Sequence, residues 1–448
     1  VQAPLWRVVW LFVALAVGSV LADATKAAVE SAWPDWKGTP PMDLSGSPAD
    51  RAWQPAVAAG STGRVIVVWS DQRQGDGQPR DIYAVLSNDN GGTWSAPQAV
   101  TETARTSEFP SAAFADDQAF VAWIEKWEHV VVPGVYTETI RSLYEAESGV
   151  GLARRIPCPV ITSTQFTRPR LAANLDKDKL HVVFNAGQSS SDIFYAARAL
   201  TATMWPTATQ VHSHTLGSQG SYFPALAVGP GGETVHVAWE ERHSPVVRAV
   251  MYMSGTVSGS DVDWSPPITL SKGITISIYP VIAADSGGNL HVVWGEDVKV
   301  DTETKKHVRY TRYDAAGHSW SHPQRINLEF MEINQLKPTD LIPSLTLWEE
   351  DGVTVCAAWH AFQEGMQAEE IVLGCSEDGG QSWETPQNVS RSPLETELSI
   401  NPAIAFDDSG VLHAAWQEHV SDDVVFDYEV YHAYAWPISF YLPLVMKD

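Results

Sequence analysis

Only 3 of the 448 residues are cysteine. That is too few for the disulfide framework that holds small exported domains together, so the fold has to rest on an apolar core. Cys356 and Cys375 fall on consecutive predicted strands of one sheet, where a disulfide and a pair of buried free thiols are both open. Cys158 has no evident partner. Positive charge is also scarce, with 29 Lys and Arg against 54 Asp and Glu and a formal net charge of −25. Such a field repels nucleic acid and anionic membranes. It also slows the approach of anionic glycans unless a local basic patch offsets it. H-E-x-x-H, D-x-D-x-D, phosphate-loop and G-x-S-x-G patterns are missing, which leaves zinc, nucleotide and serine-hydrolase chemistry without support. No cofactor is expected. Long apolar runs are confined to the start, where Arg7 precedes a run from Val8 to Val17 and on to Val20, followed by Leu21-Ala22-Asp23-Ala24. This pattern predicts a secretory signal peptide over residues 1–24. A membrane anchor would need roughly 20 apolar residues. The mature chain is therefore expected to be secreted, extracellular and free of the membrane.

Tryptophan, by contrast, is abundant: there are 19. From residue 53 onward one unit recurs, made of a strand opened by proline, a Gly or Asp turn, a strand ending in Val-Val-Trp or its equivalent, a variable loop, a third strand, a turn and a fourth strand after W-x-x-P. Its first landmark is Pro55, Pro110, Pro169, Pro224, Pro280, Pro343 and Pro402. The second is Trp69, Trp123, Phe184, Trp239, Trp294, Trp359 and Trp416. Proline suits a strand's first residue, where no ladder donor is lost. Val65-Ile66-Val67-Val68-Trp69 and His291-Val292-Val293-Trp294 are strands by their β-branched content. Four strands at a period of about 55 to 65 residues are a propeller blade. The predicted fold is all-β: a seven-bladed β-propeller over residues 33–436, with a six-bladed ring plus one extra unit as the alternative. The seventh unit lacks its last strand, and Trp36 to Ser45 resembles the fourth strands of other units. An N-terminal strand is thus expected to close the last blade against Glu429 to Tyr434. Residues 437–448 form a short C-terminal tail.

Two stretches carry a family resemblance. Ser87-Asn88-Asp89-Asn90-Gly91-Gly92-Thr93-Trp94 and Ser376-Glu377-Asp378-Gly379-Gly380-Gln381-Ser382-Trp383 both fit S-x-D-x-G-x-x-W, which resembles the Asp-box of sialidase-type (BNR-repeat) β-propellers. Their physics is local: Ser and Asp bond their own backbone, Gly takes a positive φ and Trp fills space between sheets. The motif therefore speaks for fold and hardly for activity.

Sialidases, as the resemblance implies, hold a carboxylate with three arginines and use a Tyr–Glu pair with an Asp acid. The arginine of an F-R-I-P-like strand start has no counterpart here. The loop Trp69 to Gly77 resembles the first sialidase blade, which would make Arg73 a substrate contact and Asp76 the acid. Arg168 and Arg242 are further guanidiniums on the same rim. Two residues past the Trp landmark stand Asp71, Glu125, Glu241, Glu296 and Glu418, a carboxylate ring suited to sugar hydroxyls or, weakly, to Ca²⁺. If Pro and Trp landmarks face each other, stepping outward by two pairs Tyr222 with Glu241 and Glu108 with Glu125. The first pair could supply a nucleophile and its base, the second an acid and a base. Two readings follow: a secreted, monomeric propeller recognising glycan or extracellular protein on its loop rim, and an exported glycoside hydrolase.

Overall fold

The computed structural model describes residues 38–47, 51–75, 77–115, 117–132, 136–147, 153–158, 167–174, 178–187, 190–214, 217–258, 261–271, 275–300, 303–327, 341–362, 369–391, 398–420 and 427–435. The signal-peptide stretch 1–24, Trp36, Asp76 and the tail 437–448 lie outside the described residues. Among the described residues the structure is all-β, with 65% strand, no α-helix and several four-stranded sheets, consistent with a propeller-like fold. Among the described residues no helix is long and apolar enough to cross a membrane.

Seven antiparallel units follow one another. Unit I has Ala52–Ala59, Val65–Asp71, Asp81–Ser87 and Gln98–Ala99. Units II to VI begin with Thr106–Ala115, Thr167–Asn174, Ser221–Val228, Ile276–Ala284 and Ser344–Glu349. Unit VII has Ser399–Phe406, Leu412–His419 and Tyr428–Ala435, and its fourth strand is Met42–Asp43 from the other end of the chain. Hydrogen bonding groups these into six sheets, because one parallel bridge, Arg248 to Ile276, joins units IV and V.

The second strand of each unit is apolar on both faces because it is covered on both. Val65–Asp71 is buried at every position, and Trp69, Trp123, Phe184, Trp239, Trp294, Trp359 and Trp416 are 0–1% exposed. Seven apolar clusters fill the gaps between consecutive units. The seventh joins Leu44, Trp69 and Val85 to Ala415 and Val430, the last unit against the first.

The serine–aspartate turns staple neighbours together. Ser87 Oγ donates to Asp89 Oδ1 (2.8 Å) while accepting from Gly91 N (2.9 Å), and Ser376, Asp378 and Gly380 repeat the arrangement. Gly380 has φ 87°, and a Cβ there would collide with the Tyr310 hydroxyl of unit V. Trp383 packs edge-on against the same Tyr310 ring at 5.0 Å, and Trp94 against His432 at 4.8 Å. Of the two states left open for Cys356 and Cys375, directly opposite on adjacent strands, the disulfide is the one present.

Candidate functional site

The first strands converge on a cavity of about 200 Å³, lined by units I, II, III, V, VI and VII, with a small neighbour that adds Phe223 and Pro224 of unit IV. A backbone irregularity repeated in six units shapes its wall. In unit IV, Tyr222 pairs with Glu240 and Ala225 with Ala238, so Phe223 and Pro224 together oppose the single residue Trp239. The same two-against-one bulge precedes Ala56, Ser111, Arg170, Val281 and Ala403. Proline has no N–H for the ladder, and its predecessor turns to positive φ: Gln54 58°, Phe109 55°, Arg168 24°, Phe223 50°, Tyr279 52° and Asn401 54°. Left-handed backbone costs a non-glycine residue on the order of 1 kcal/mol or more, and such residues concentrate at functional sites.

These pre-proline side chains form a collar around the cavity. Phe223 and Tyr279 pack with centroids 4.4 Å apart and ring planes tilted by 51°, and the Arg168 guanidinium lies 5.8 Å from the Phe109 ring and 5.4 Å from the Tyr279 ring. On the polar side, Gln54 Oε1 accepts from Phe109 N (2.9 Å), while Gln417 Oε1 accepts from Gln54 N (3.3 Å) and Asn401 Nδ2 (3.0 Å). One side is thus aromatic and cationic, the other amide.

The bulge corrects both expected pairings. Tyr222 faces Glu240, and Glu241 faces Ser221, whose hydroxyl donates to it at 2.6 Å. Glu108 faces Ile124, and Glu125 faces Ser107. Face-to-face Pro and Trp landmarks presuppose an unbroken ladder, and the extra residue shifts everything outward of it by one. The two carboxylates of unit II also have separate arginines, Arg80 to Glu108 at 3.0 Å and Arg105 to Glu125 at 3.1 Å.

The five carboxylates past the landmark are buried, 0–5% exposed. In three units the acid accepts the indole N–H of its own landmark: Trp69 to Asp71 (2.9 Å), Trp239 to Glu241 (3.2 Å) and Trp416 to Glu418 (2.6 Å). Residues i and i+2 share a strand face, which is why the spacing recurs. Glu296 is held instead by Arg309 and Thr275. Among the described residues no three His, Cys, Asp or Glu side chains stand close enough to hold a metal ion. Glu418→Ala should strand the buried indole N–H of Trp416 and take an acceptor from Ser399. A loss of about 2–4 kcal/mol is expected in urea unfolding. A loss below 0.5 kcal/mol, roughly the scatter of an ordinary surface substitution, would remove this structural role.

Arg73 is also engaged: it donates to the Ser45 carbonyl (2.6 Å) and to Asp71 (3.1 Å) and lies over the Tyr83 ring at 4.6 Å. Arg242 pairs with Glu240 (2.6 Å) and covers the Tyr222 ring at 4.0 Å. Burial pushes the Tyr222 phenol up, against the opposing charge of Arg242.

A strained collar where the first strands of successive sheets converge places this chain among known architectures. Structural neighbours are sialidases and polysaccharide lyases. An ulvan lyase bound to -[GlcA(1-4)Rha3S]- matches with a TM-score of 0.56 at 12% identity, over 87% of this chain and 95% of that one. A Dyadobacter fermentans protein of unknown function matches with a TM-score of 0.54 at 10% identity, over 89% and 98%. The Ruminococcus gnavus intramolecular trans-sialidase aligns with a TM-score of 0.46 at 11% identity, over 89% and 97%. No protein-family model and no curated protein matches the sequence. At such identities the likeness carries fold alone. The collar residues other than Arg168, together with Arg170, were not among the sequence candidates. The residue before each landmark proline was the signal that would have found all but Arg170.

Proposed function

We propose that the chain is a secreted glycan-recognising protein, a seven-bladed propeller closed by its N-terminal strand, with the pre-proline collar as its binding surface. The observation that carries this reading is the convergence of six positive-φ residues, three of them aromatic, on one cavity. Aromatic faces bury the C–H faces of sugars, while amides and a guanidinium fix hydroxyl and acidic groups. The seven inter-unit clusters and the pairing of Met42 with His432 support the closed ring. The Cys356–Cys375 bond suits an oxidising compartment. The glycan-acting neighbours give the ligand class its motive.

Glycan-array and calorimetric binding on the purified chain test the proposal. Phe109→Ala and Tyr279→Ala should each weaken a bound oligosaccharide at least tenfold. Ligands bound with unchanged affinity by both variants would place recognition elsewhere. A hydrolase reading rests on one contact, Tyr222 directly opposite Glu240. If a fluorogenic glycoside panel including a sialoside finds turnover, Tyr222→Phe should lower kcat by orders of magnitude while leaving KM within a fewfold. Turnover indifferent to that change would turn attention to Arg73 and Asp76.

A further inference from the structure

The cavity behind the collar has an unusual charge balance for so acidic a chain. Among the described residues, Arg168 and Arg170 are its only charged lining residues, and no described carboxylate lines either it or its small neighbour. Arg170 is half-buried, and none of the described carboxylates makes an ion pair with it. Enclosure first, and the charge of Arg168 second, hold its guanidinium at about 10, so it remains a cation at neutral pH. Placing the Arg170 guanidinium out of bulk water and next to another cation costs free energy that a bound anion would offset. Two serine hydroxyls line the same space. Ser111 Oγ accepts from Leu171 N (3.1 Å) and Ser344 Oγ from Ile404 N (3.0 Å), which leaves each hydroxyl proton free to turn toward the cavity.

We infer that this cavity is an oxyanion site, in which the guanidiniums of Arg170 and Arg168, helped by the Ser111 and Ser344 hydroxyls, hold a sulfate, phosphate or carboxylate group. Guanidinium forks match the planar or tetrahedral oxygen arrays of such groups. Nothing in this inference depends on the collar binding a sugar. The oxyanion is either a free ion or the acidic substituent of a larger ligand that reaches past the collar.

The test titrates sodium sulfate, acetate and glucuronate separately into the purified full chain at fixed ionic strength, with glucose as the neutral control, followed by calorimetry and thermal melting. Sulfate should bind saturably and raise Tm beyond matched chloride. Arg170→Gln should lose at least tenfold in sulfate affinity, and Arg168→Gln at least threefold. Where Arg170→Gln does not fold, Arg170→Lys keeps the charge without the fork and should still weaken sulfate at least threefold. Glucuronate binding at least tenfold tighter than acetate assigns the oxyanion to a sugar ligand, and equal binding assigns it to a free ion. Absence of any anion response beyond chloride, or a response intact in the Arg170 variants, overturns the site. Binding of a neutral oligosaccharide alone would do so while leaving the glycan reading in place.

Discussion

Deleting residues 25–47 should lower Tm by about 5 °C or more and broaden the transition, because the segment supplies a strand of the last unit. Met42 and Asp43 pair with His432 and Tyr431, Thr39 N donates to Tyr434 O (2.8 Å) and Leu44 N to Val430 O (2.8 Å). Leu44 belongs to the cluster that joins unit VII to unit I. The larger cost is polar. Glu429, 5% exposed, accepts from the Ser45 hydroxyl and from Ser47 N (3.1 Å), and Ser47 Oγ donates to Asp71 (3.0 Å). Stripping those donors takes two hydrogen bonds from a buried carboxylate, which costs about 1–3 kcal/mol for each before the lost apolar burial is added. In a domain this size each kcal/mol moves Tm by roughly 1 °C. Scanning calorimetry decides the matter: a Tm within 2 °C of the full chain would mean that the fold does not depend on this strand. Ser45→Ala, which removes one donor to Glu429, should give a smaller loss of about 1 kcal/mol.

The parts of this architecture that were legible in the sequence are those set by nearest neighbours along the chain. Asp89 and Asp378 organise their turns from within four residues, so S-x-D-x-G-x-x-W shows the turn directly. Trp69 and its equivalents stand in strands apolar on both faces, which only sheet stacking explains. The candidate site was less legible because it depends on register. Nothing in Tyr222-Phe223-Pro224 announces that two residues will oppose Trp239, and one such slip moves Glu241 from Tyr222 to Ser221. The carboxylates two past the landmark were visible as a pattern, but their use was not. An acid at i+2 can face solvent or turn back to its own indole, and Trp416 with Glu418 takes the second course. Arg170 was invisible for a further reason: its surroundings are the first strands of six units, far apart in the sequence and brought together only by the fold.

Acid should unfold the protein in a window set by buried histidines. His181 and His236 sit on second strands and face tyrosines of the third, with His181 Nδ1 2.7 Å from the Tyr195 hydroxyl and His236 Nδ1 2.9 Å from that of Tyr252. Burial holds both imidazoles down at about 4, and His432 well below 6.5, the last also through the charge of His413. A histidine with a depressed folded pKa stays neutral in the native state while the unfolded chain takes up its proton near 6.5. The unfolded state therefore binds more protons between pH 6.5 and about 4, and stability falls as pH drops through that window. For His181, which is 1% exposed, the span from 6.5 to about 4 amounts to about 3 kcal/mol at most. The carboxylates add a second, lower window. Burial raises Asp285 and Asp407, but hydrogen bonds led by His291 and His413 outweigh it and leave both below 3.8. Their contribution is present above that value and is lost as pH falls through the folded pKa. Urea midpoints should thus decline steadily from pH 6.5 to 4 and collapse below it. The double variant His181→Phe with Tyr195→Phe removes one titrating site together with its hydroxyl partner, and its decline over the same range should be shallower by up to one proton. A slope identical to that of the unaltered chain would show that His181 is protonated in the folded state and would remove it from the acid transition.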